Sequence, residues 1–467
     1  MSRILSALAR PLVAGALLAL AAPAAVLAAP TPGAATPPAA SAMPIEHYRL
    51  DNGLEVILQP DPTLTTAVIH VWYHVGSKDE VLGKSGFAHL FEHLMFEGSK
   101  HVAEGDFDRL LEAAGGWNNG TTNNDRTNYF EQVPVSSLPL ALWLEADRLA
   151  GLWDAMSPAL LDNQRDVVKN ERRQQIENRP YGQVELLITQ ALWPRGHGNW
   201  NLTIGTMEDL DRATMADVEA FWRTYYRPSN ATLVVVGGFD PAKTRALIQT
   251  LFGWMPAQPR PPHRTLEAPV TPLPRAATIE TTDRVQVPKV LVAMRAPEAY
   301  GKETAELALA AELLGGGKTS RLHRRLVFTD QIATDAYAYL SEQMLGSELM
   351  VAAVARPGVS AARLRAALED ELRGLRTRPP TAAELERARR VLEVELLTGL
   401  ENPASRAGQL AEWAAYTGQP DHLAASRAAL AAVTPESLAR AIERWISLDH
   451  AVTAIVLPEA RAQGAGK

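Results

Sequence analysis

The sequence predicts a duplicated α/β domain, and three observations support this prediction. The chain has 467 residues, which is more than one ordinary hydrophobic core organises. A proline-rich stretch without hydrophobic periodicity, residues 256–275, divides it and is typical of a linker. On each side of this stretch a β-rich run, a helical pattern and a glycine turn follow in the same order. Residue identity between the two halves is low, so the similarity lies in the order of elements.

Residues 1–28 have the pattern of a cleaved signal peptide. Arg3 and Arg10 precede a short apolar run from Leu12 to Leu20, and small residues stand at the −3 and −1 positions of a cut after Ala28. We therefore expect export, with the periplasm as the first expectation and secretion as the alternative. A membrane anchor is less well supported, because the run is short and Pro23 interrupts it.

The other boundaries follow from composition. Residues 29–43 are mostly Ala, Pro, Thr and Ser, which predicts a flexible spacer. We expect the first domain over residues 44–255 and the second, homologous domain over residues 276–460. The last residues, 461–467, are predicted to be a disordered tail.

Hydrophobic patterning places the elements inside these domains. In the first domain we expect a strand at 67–76, helices at 107–114, 138–149 and 158–178, and a closing strand at 234–238. The stretch from Trp117 to Val133 is predicted to be a strand with a polar, partly exposed edge. In the second domain we expect strands at 290–294 and 451–457, and helices at 303–314, 320–328, 361–375, 381–398 and 435–445.

Composition limits the chemistry that the chain can perform. There is no cysteine, there are 11 histidines, and the net charge is −7. A bound metal must therefore be held by His, Asp and Glu, and a disulfide framework or a cysteine nucleophile is excluded. The acidic balance gives no reason to expect binding to nucleic acid or to anionic membranes.

The strongest functional signal lies between Gly86 and Gly98. His89 and His93 are four residues apart and Glu92 is three beyond His89, so on a helix all three project from one face. Two imidazoles can take two positions of a tetrahedral zinc site, and a neighbouring carboxylate can accept a proton from water. The order His-x-x-Glu-His is a known zinc-protease motif. Apolar neighbours predict that the helix is buried, where polar side chains need partners.

A catalytic zinc site needs a third protein ligand. The best candidate is Glu171, which lies within a charged helical segment. On its own this assignment is weak, because a glutamate in such a helix is more often a solvated surface residue.

The motif and its surroundings resemble the pitrilysin family of inverted-motif zinc metallopeptidases, which includes insulin-degrading enzyme and mitochondrial processing peptidase. The resemblance rests on His89 to His93 followed by Val168-Lys169-Asn170-Glu171, and it covers nearly the whole chain after the export segment. Other stretches similar to the family are Gly115–Thr122, Asn178–Gly182, Ile204-Gly205 and Tyr226–Asn230. The resemblance implies two homologous mixed α/β domains, each an antiparallel-rich sheet flanked by helices. Together the two domains would form half of a clam-shell chamber.

The resemblance also implies roles for individual residues. One zinc ion per chain would be held by His89, His93 and Glu171, with Glu92 as the general base. The family's substrate-holding Asn-Ala pair on an edge strand corresponds to Asn119 and Gly120, where glycine replaces alanine and should loosen the strand slightly. The family has a further glutamate, and this chain carries Gln164 at that position. Glutamine has no charge but can still form hydrogen bonds around the metal ligands. A site of two histidines and a glutamate would also accept Mn²⁺, Co²⁺ or Ni²⁺.

The second half departs from the family. Val327 and Thr334 stand where its enzymes carry an Arg and a Tyr that hold the substrate and polarise its carbonyl. We therefore expect a homologous partner chain that lacks the zinc motif to supply these two groups. The leading hypothesis is a zinc-dependent endopeptidase for peptides or unfolded polypeptides, acting as the zinc-bearing subunit of a two-chain enzyme. The alternative is a non-catalytic or weakly active peptide-binding or assembly subunit that retains a metal site; metal storage is less well supported.

Overall fold

The computed structural model describes residues 44–459. The predicted signal peptide at 1–28, the spacer at 29–43 and the tail at 461–467 lie outside the described residues. Within the described part of the chain, no helix combines the length and the apolar character that crossing a membrane requires.

The described residues alternate between strands and helices, several of which hydrophobic periodicity did not predict. The strands are β1 Glu46–Arg49, β2 Glu55–Pro60, β3 Thr66–Tyr73, β4 Trp117–Thr122, β5 Thr127–Pro134, β6 Ala231–Gly237, β7 Ala277–Asp283, β8 Lys289–Ala296, β9 Ala333–Ser341, β10 Ser347–Ala355 and β11 Val452–Pro458. The helices are α1 Phe87–Leu94, α2 Asp106–Ala113, α3 Leu138–Ala155, α4 Pro158–Arg172, α5 Val184–Leu192, α6 Met207–Arg212, α7 Met215–Tyr225, α8 Pro241–Phe252, α9 Thr304–Gly315, α10 Ala361–Thr377, α11 Ala382–Gly399, α12 Pro403–Thr417, α13 Leu423–Ala432 and α14 Pro435–Trp445.

The strands form two mixed sheets with the same topology. The first sheet has the order β1-β2-β6-β3-β5-β4, and the second has the order β7-β11-β8-β10-β9. If β1 is set aside, adding five to each strand number of the first sheet gives the second. In each sheet one pair is parallel, β2 with β6 and β7 with β11, and the other pairs are antiparallel. The predicted fold class is confirmed, whereas the clam-shell chamber stays a prediction.

The prediction of a single strand from Trp117 to Val133 is wrong. This stretch forms a hairpin of β4 and β5, because Asn123 at its tip accepts hydrogen bonds from the backbone N–H groups of Asp125 and Arg126 at 2.8 and 2.9 Å. Such an Asx-type contact is a common turn device. As a consequence β4 lies at the outer edge of the first sheet, with one row of backbone groups unpaired by that sheet.

The two halves exchange helices. Helix α5 belongs to the first half by sequence, yet Val184, Ile188 and Leu192 lie in the hydrophobic core of the second sheet. Helix α12 belongs to the second half and packs against the outer face of β2, β3 and β6 in the first sheet. A buried ion pair at 3.1 Å, Arg406 with Asp61, fastens α12 there. The sequence-based domain boundaries stay a prediction, and the exchange makes each sheet depend on the other half for part of its cover.

Candidate metal centre

Helix α1 begins at a closely packed glycine. Gly86 has φ of 88°, a conformation that favours glycine. The buried Glu80 accepts hydrogen bonds from the backbone N–H groups of Gly86 at 3.0 Å and Ala88 at 2.9 Å, which satisfies donors that a helix start otherwise leaves free. Burial raises the pKa of Glu80 to about 8, against the opposing effect of these N–H groups. Glu80 thus anchors the start of α1.

Helix α4 supplies Glu171 in its last turn, just before a π-helical turn at Arg173–Glu177. Arg172 donates a hydrogen bond to the carbonyl oxygen of Gly205 at 2.6 Å. Gly205 in turn packs on Gly86, and a Cβ on Gly205 would lie 2.5 Å from the Gly86 Cα atom. These contacts hold the end of α4 against the start of α1, so that Glu171 comes to the face of α1 that carries the histidines.

The three predicted ligands converge. One ligand atom each from His89, His93 and Glu171 lies within 4.8 Å of the others. Glu171 Oε2 is 3.3 Å from His93 Nε2 and 3.6 Å from His89 Nε2. Glu171 Oε2 is also buried, and no donor among the described residues makes a hydrogen bond to it. Two imidazoles and a carboxylate oxygen that face one another in this way fit a cation, and the donor set is one that zinc uses in catalytic sites.

The electrostatics of the site favour metal-binding protonation states. Burial, together with the neighbouring His93, lowers the pKa of His89 to about 4. The pKa of Glu171 is lowered, chiefly by the close approach of the His93 imidazole. A neutral imidazole and an ionised carboxylate are the forms that coordinate a metal.

Glu92 is held by the edge strand. The hydroxyl group of Thr122 donates a hydrogen bond to Glu92 Oε2 at 2.5 Å. Burial raises the pKa of Glu92, and the Thr122 hydrogen bond opposes this shift. Gly120 faces the same side of β4, where an added Cβ would lie 3.2 Å from Glu92 Cγ and 3.1 Å from Phe96 Cε2. The predicted base and the predicted substrate strand are therefore in direct contact.

The other predicted substrate and support residues lie near this site without reaching the ligands. Asn119 is exposed, and its Oδ1 atom accepts a hydrogen bond at 2.9 Å from the backbone N–H of Gly120. Gln164 donates a hydrogen bond at 2.6 Å to Glu97. It thus ties α4 to the segment after α1, and its amide nitrogen does not contact a ligand.

Val327 and Thr334 lie in the second half. Val327 packs against the core of the second sheet. Thr334 is exposed in β9, and its hydroxyl group donates to the carbonyl oxygen of Val354 at 3.3 Å. In residues 44–459 no hydrogen bond or ion pair joins either residue to the three ligands.

Sequence reasoning missed two residues of the site, Thr122 and Glu80. For Thr122 a signal was present, because residues two apart on a strand share a face and Gly120 was already a candidate. For Glu80 no comparable signal existed, since it acts from a loop before the helix.

Family models match both halves of the chain. The model for insulinase (peptidase family M16) matches residues 55–199, which include all three candidate ligands. The model for the peptidase M16 inactive domain matches residues 212–392. The chain belongs to peptidase family M16. This confirms the family that the sequence resembles.

Relatives and solved structures agree with membership of the M16 family. The zinc protease PqqE of Helicobacter pylori is 29% identical over 382 residues, which cover 79% of this chain and 83% of the relative. A crystal structure of a protease from Helicobacter pylori superimposes with a TM-score of 0.82 at 27% identity, covering 89% of this chain and 99% of that chain. The periplasmic protease PqqL of Escherichia coli has the same fold, with a TM-score of 0.71 at 20% identity. This chain covers 47% of PqqL, and so corresponds to about half of that protein.

Proposed function

We propose that this chain is a zinc-dependent endopeptidase for peptides or unfolded polypeptides. The observation that carries the proposal is the convergence of His89, His93 and Glu171 from two helices, with Glu92 beside them and in contact with the edge strand. The relative named a zinc protease supports the same chemistry.

The residues of the site have complementary tasks in this proposal. A zinc ion held by His89, His93 and Glu171 would supply Lewis acidity, which polarises a carbonyl group and makes water more acidic. Glu92 would accept a proton from the attacking water and return it to the leaving amine. Thr122 holds Glu92 Oε2, which fixes the direction in which Oε1 can act. The free edge of β4 would pair with an extended peptide backbone by strand addition.

A second function, a peptide-binding or assembly subunit with little turnover, is favoured by Val327 and Thr334. Neither side chain carries the charge of an arginine or the phenol of a tyrosine. We propose that a homologous partner chain supplies these groups to an active two-chain enzyme. The length of PqqL, about twice that of this chain, supports an assembly of two such units.

The replacement Glu92→Gln separates the two functions. If the chain is the catalytic subunit, the variant should retain zinc and lose about 10²–10⁴-fold in kcat on a peptide library. Glu112→Gln, an exposed position on α2, is the matched control and should leave kcat unchanged. Equal turnover by wild type and Glu92→Gln would refute the peptidase. Full activity of the purified chain as a monomer would refute the need for a partner.

Export to the periplasm is part of the proposal and rests on residues 1–28. Expression in a Gram-negative host, followed by fractionation and mass spectrometry, should find a periplasmic protein that begins at Ala29. An intact N-terminus in the cytoplasmic fraction would refute it.

A further inference from the structure

A polar cavity lies between the two halves, and none of the three zinc-ligand candidates lines it. Its volume is about 140 Å³. Its walls come from α5, from the segment before α6, from the tip of the β4–β5 hairpin, and from β9, β10 and the loop between them. Among the residues that line it are three side-chain amides and two carboxylates: Asn199, Asn201, Gln343, Glu185 and Glu348.

Three side-chain amide oxygens of this cavity have no hydrogen-bond donor among the described residues. They are Asn199 Oδ1, Asn201 Oδ1 and Gln343 Oε1, and all three atoms are buried. Asn199 is completely buried, and its amide nitrogen donates to the carbonyl oxygen of Gly346 at 2.9 Å. This hydrogen bond fixes which end of the amide is the acceptor. Buried acceptors are nearly always satisfied in folded proteins, so three around one cavity point to an occupant that donates hydrogen bonds or carries positive charge.

Two carboxylates complete the lining. Glu348 is 8% exposed, and its Oε1 accepts a hydrogen bond from the Trp193 indole N–H at 2.5 Å. Glu185 enters from α5 in the other half. None of the residues that line the cavity is Lys, Arg or His, so no cationic side chain from the cavity wall neutralises the carboxylates.

We propose that this cavity binds a hydrated calcium ion. Calcium prefers six to eight oxygen ligands from carboxylates, side-chain amides and water, which is the chemistry of Glu348, Glu185, Asn199, Asn201 and Gln343. The volume leaves room for several water molecules besides the ion. Zinc is a poor match because its protein sites use mainly nitrogen and sulfur ligands, and magnesium demands a more regular octahedral arrangement. This site goes beyond the proposed peptidase, because it uses other residues and another metal.

Calorimetric titration of the zinc-loaded, desalted protein with CaCl₂ tests the site directly. Binding should be seen with wild type, and the unfolding temperature should rise with calcium concentration. Glu185→Gln and Asn201→Ala should each weaken calcium binding by about tenfold, the loss expected when about 1.4 kcal/mol of ligand interaction is removed. Glu280→Gln, an exposed position on β7, is the control and should bind like wild type. Zinc content is measured before and after each titration, so displacement of zinc cannot account for the heat.

Three results would overturn the calcium site. The first is a wild-type protein with no binding heat and no change in unfolding temperature. The second is equal calcium affinity in wild type and both cavity variants, and the third is magnesium binding as tight as calcium binding. Should Asn201→Ala fail to fold, Glu185→Gln still decides, because it is nearly isosteric and lies at an exposed side chain.

Discussion

Glu348 should make the stability of this protein depend on pH near neutrality. Burial and the charge of Glu185 raise the pKa of Glu348 from 4.5 to about 7, although the Trp193 indole opposes this shift. The folded protein therefore holds this proton more tightly than the unfolded chain does. The stabilisation is fully present below the unfolded pKa of 4.5 and is lost as the pH rises to about 7. At about 1.4 kcal/mol per pH unit, the loss is roughly 3 kcal/mol.

The replacement Glu348→Gln removes this titration and keeps an oxygen that can accept the Trp193 hydrogen bond. Urea unfolding of wild type and variant, in calcium-free buffer from about pH 5 to about pH 8, gives the difference in free energy of unfolding at each pH. We expect this difference to shift in favour of the variant by up to roughly 3 kcal/mol over that range. Groups that titrate equally in both proteins cancel in the difference, and Glu280→Gln should show no such trend. A difference that stays constant with pH, or that moves the other way, would refute the assignment.

Three further replacements test how the metal centre and the helix exchange are supported. Glu80→Ala leaves the first N–H groups of α1 without their acceptor, so it should lower the free energy of unfolding by about 2 kcal/mol. It should also lower the affinity for zinc in a chelator competition, and Glu80→Gln should have a smaller effect on both. Thr122→Val removes the hydrogen bond to the carboxylate of Glu92, so it should lower kcat about tenfold with KM and zinc content unchanged. Thr122→Ser keeps the hydroxyl group and should retain most of the activity. Asp61→Ala removes the carboxylate from the buried Arg406, and it should cost about 3 kcal/mol in urea unfolding, much of which Arg406→Met in the same chain should recover.

Each of these expectations has a clear contrary result. Equal zinc affinity in wild type and Glu80→Ala would show that the start of α1 needs no anchor. Equal loss of activity in Thr122→Val and Thr122→Ser would show that the side chain acts by packing, because serine keeps the hydroxyl group. A cost for Asp61→Ala that Arg406→Met does not reduce would place the effect outside the ion pair.

The half of the metal centre on α1 could be predicted from sequence because it is local. A helix of about 3.6 residues per turn brings positions three and four apart together without help from the rest of the chain. Glu171 could not be found in this way. Its position depends on the contact of Arg172 with Gly205 and of Gly205 with Gly86, and only the resemblance to a known family supplied that information.

Some of the elements that the sequence did not predict depend on contacts between distant segments. Hydrophobic periodicity did not predict helix α12. It also carries no information about which sheet a helix packs on, so it could not show that α5 lies in the core of the second sheet. The hairpin at Asn123 is a different case, because the run Asn123-Asn124-Asp125 is typical of a turn. Its β-forming neighbours on both sides concealed the break between the two strands.

The equivalence of the two sheets shows how one topology accommodates the candidate zinc ligands in one half and an apolar helix at the corresponding place in the other. Helix α1 lies between β3 and β4 in the chain and packs on β4 and β5, while α9 lies between β8 and β9 and packs on β9 and β10. The two helices therefore occupy corresponding places. Helix α9 fills its place with buried apolar residues such as Leu307, Leu309 and Leu313. The sheet topology accommodates either a helix with metal ligands or an apolar helix, because a metal site needs only a few side chains on one helix face. The fold therefore provides the position, and the residues decide the chemistry.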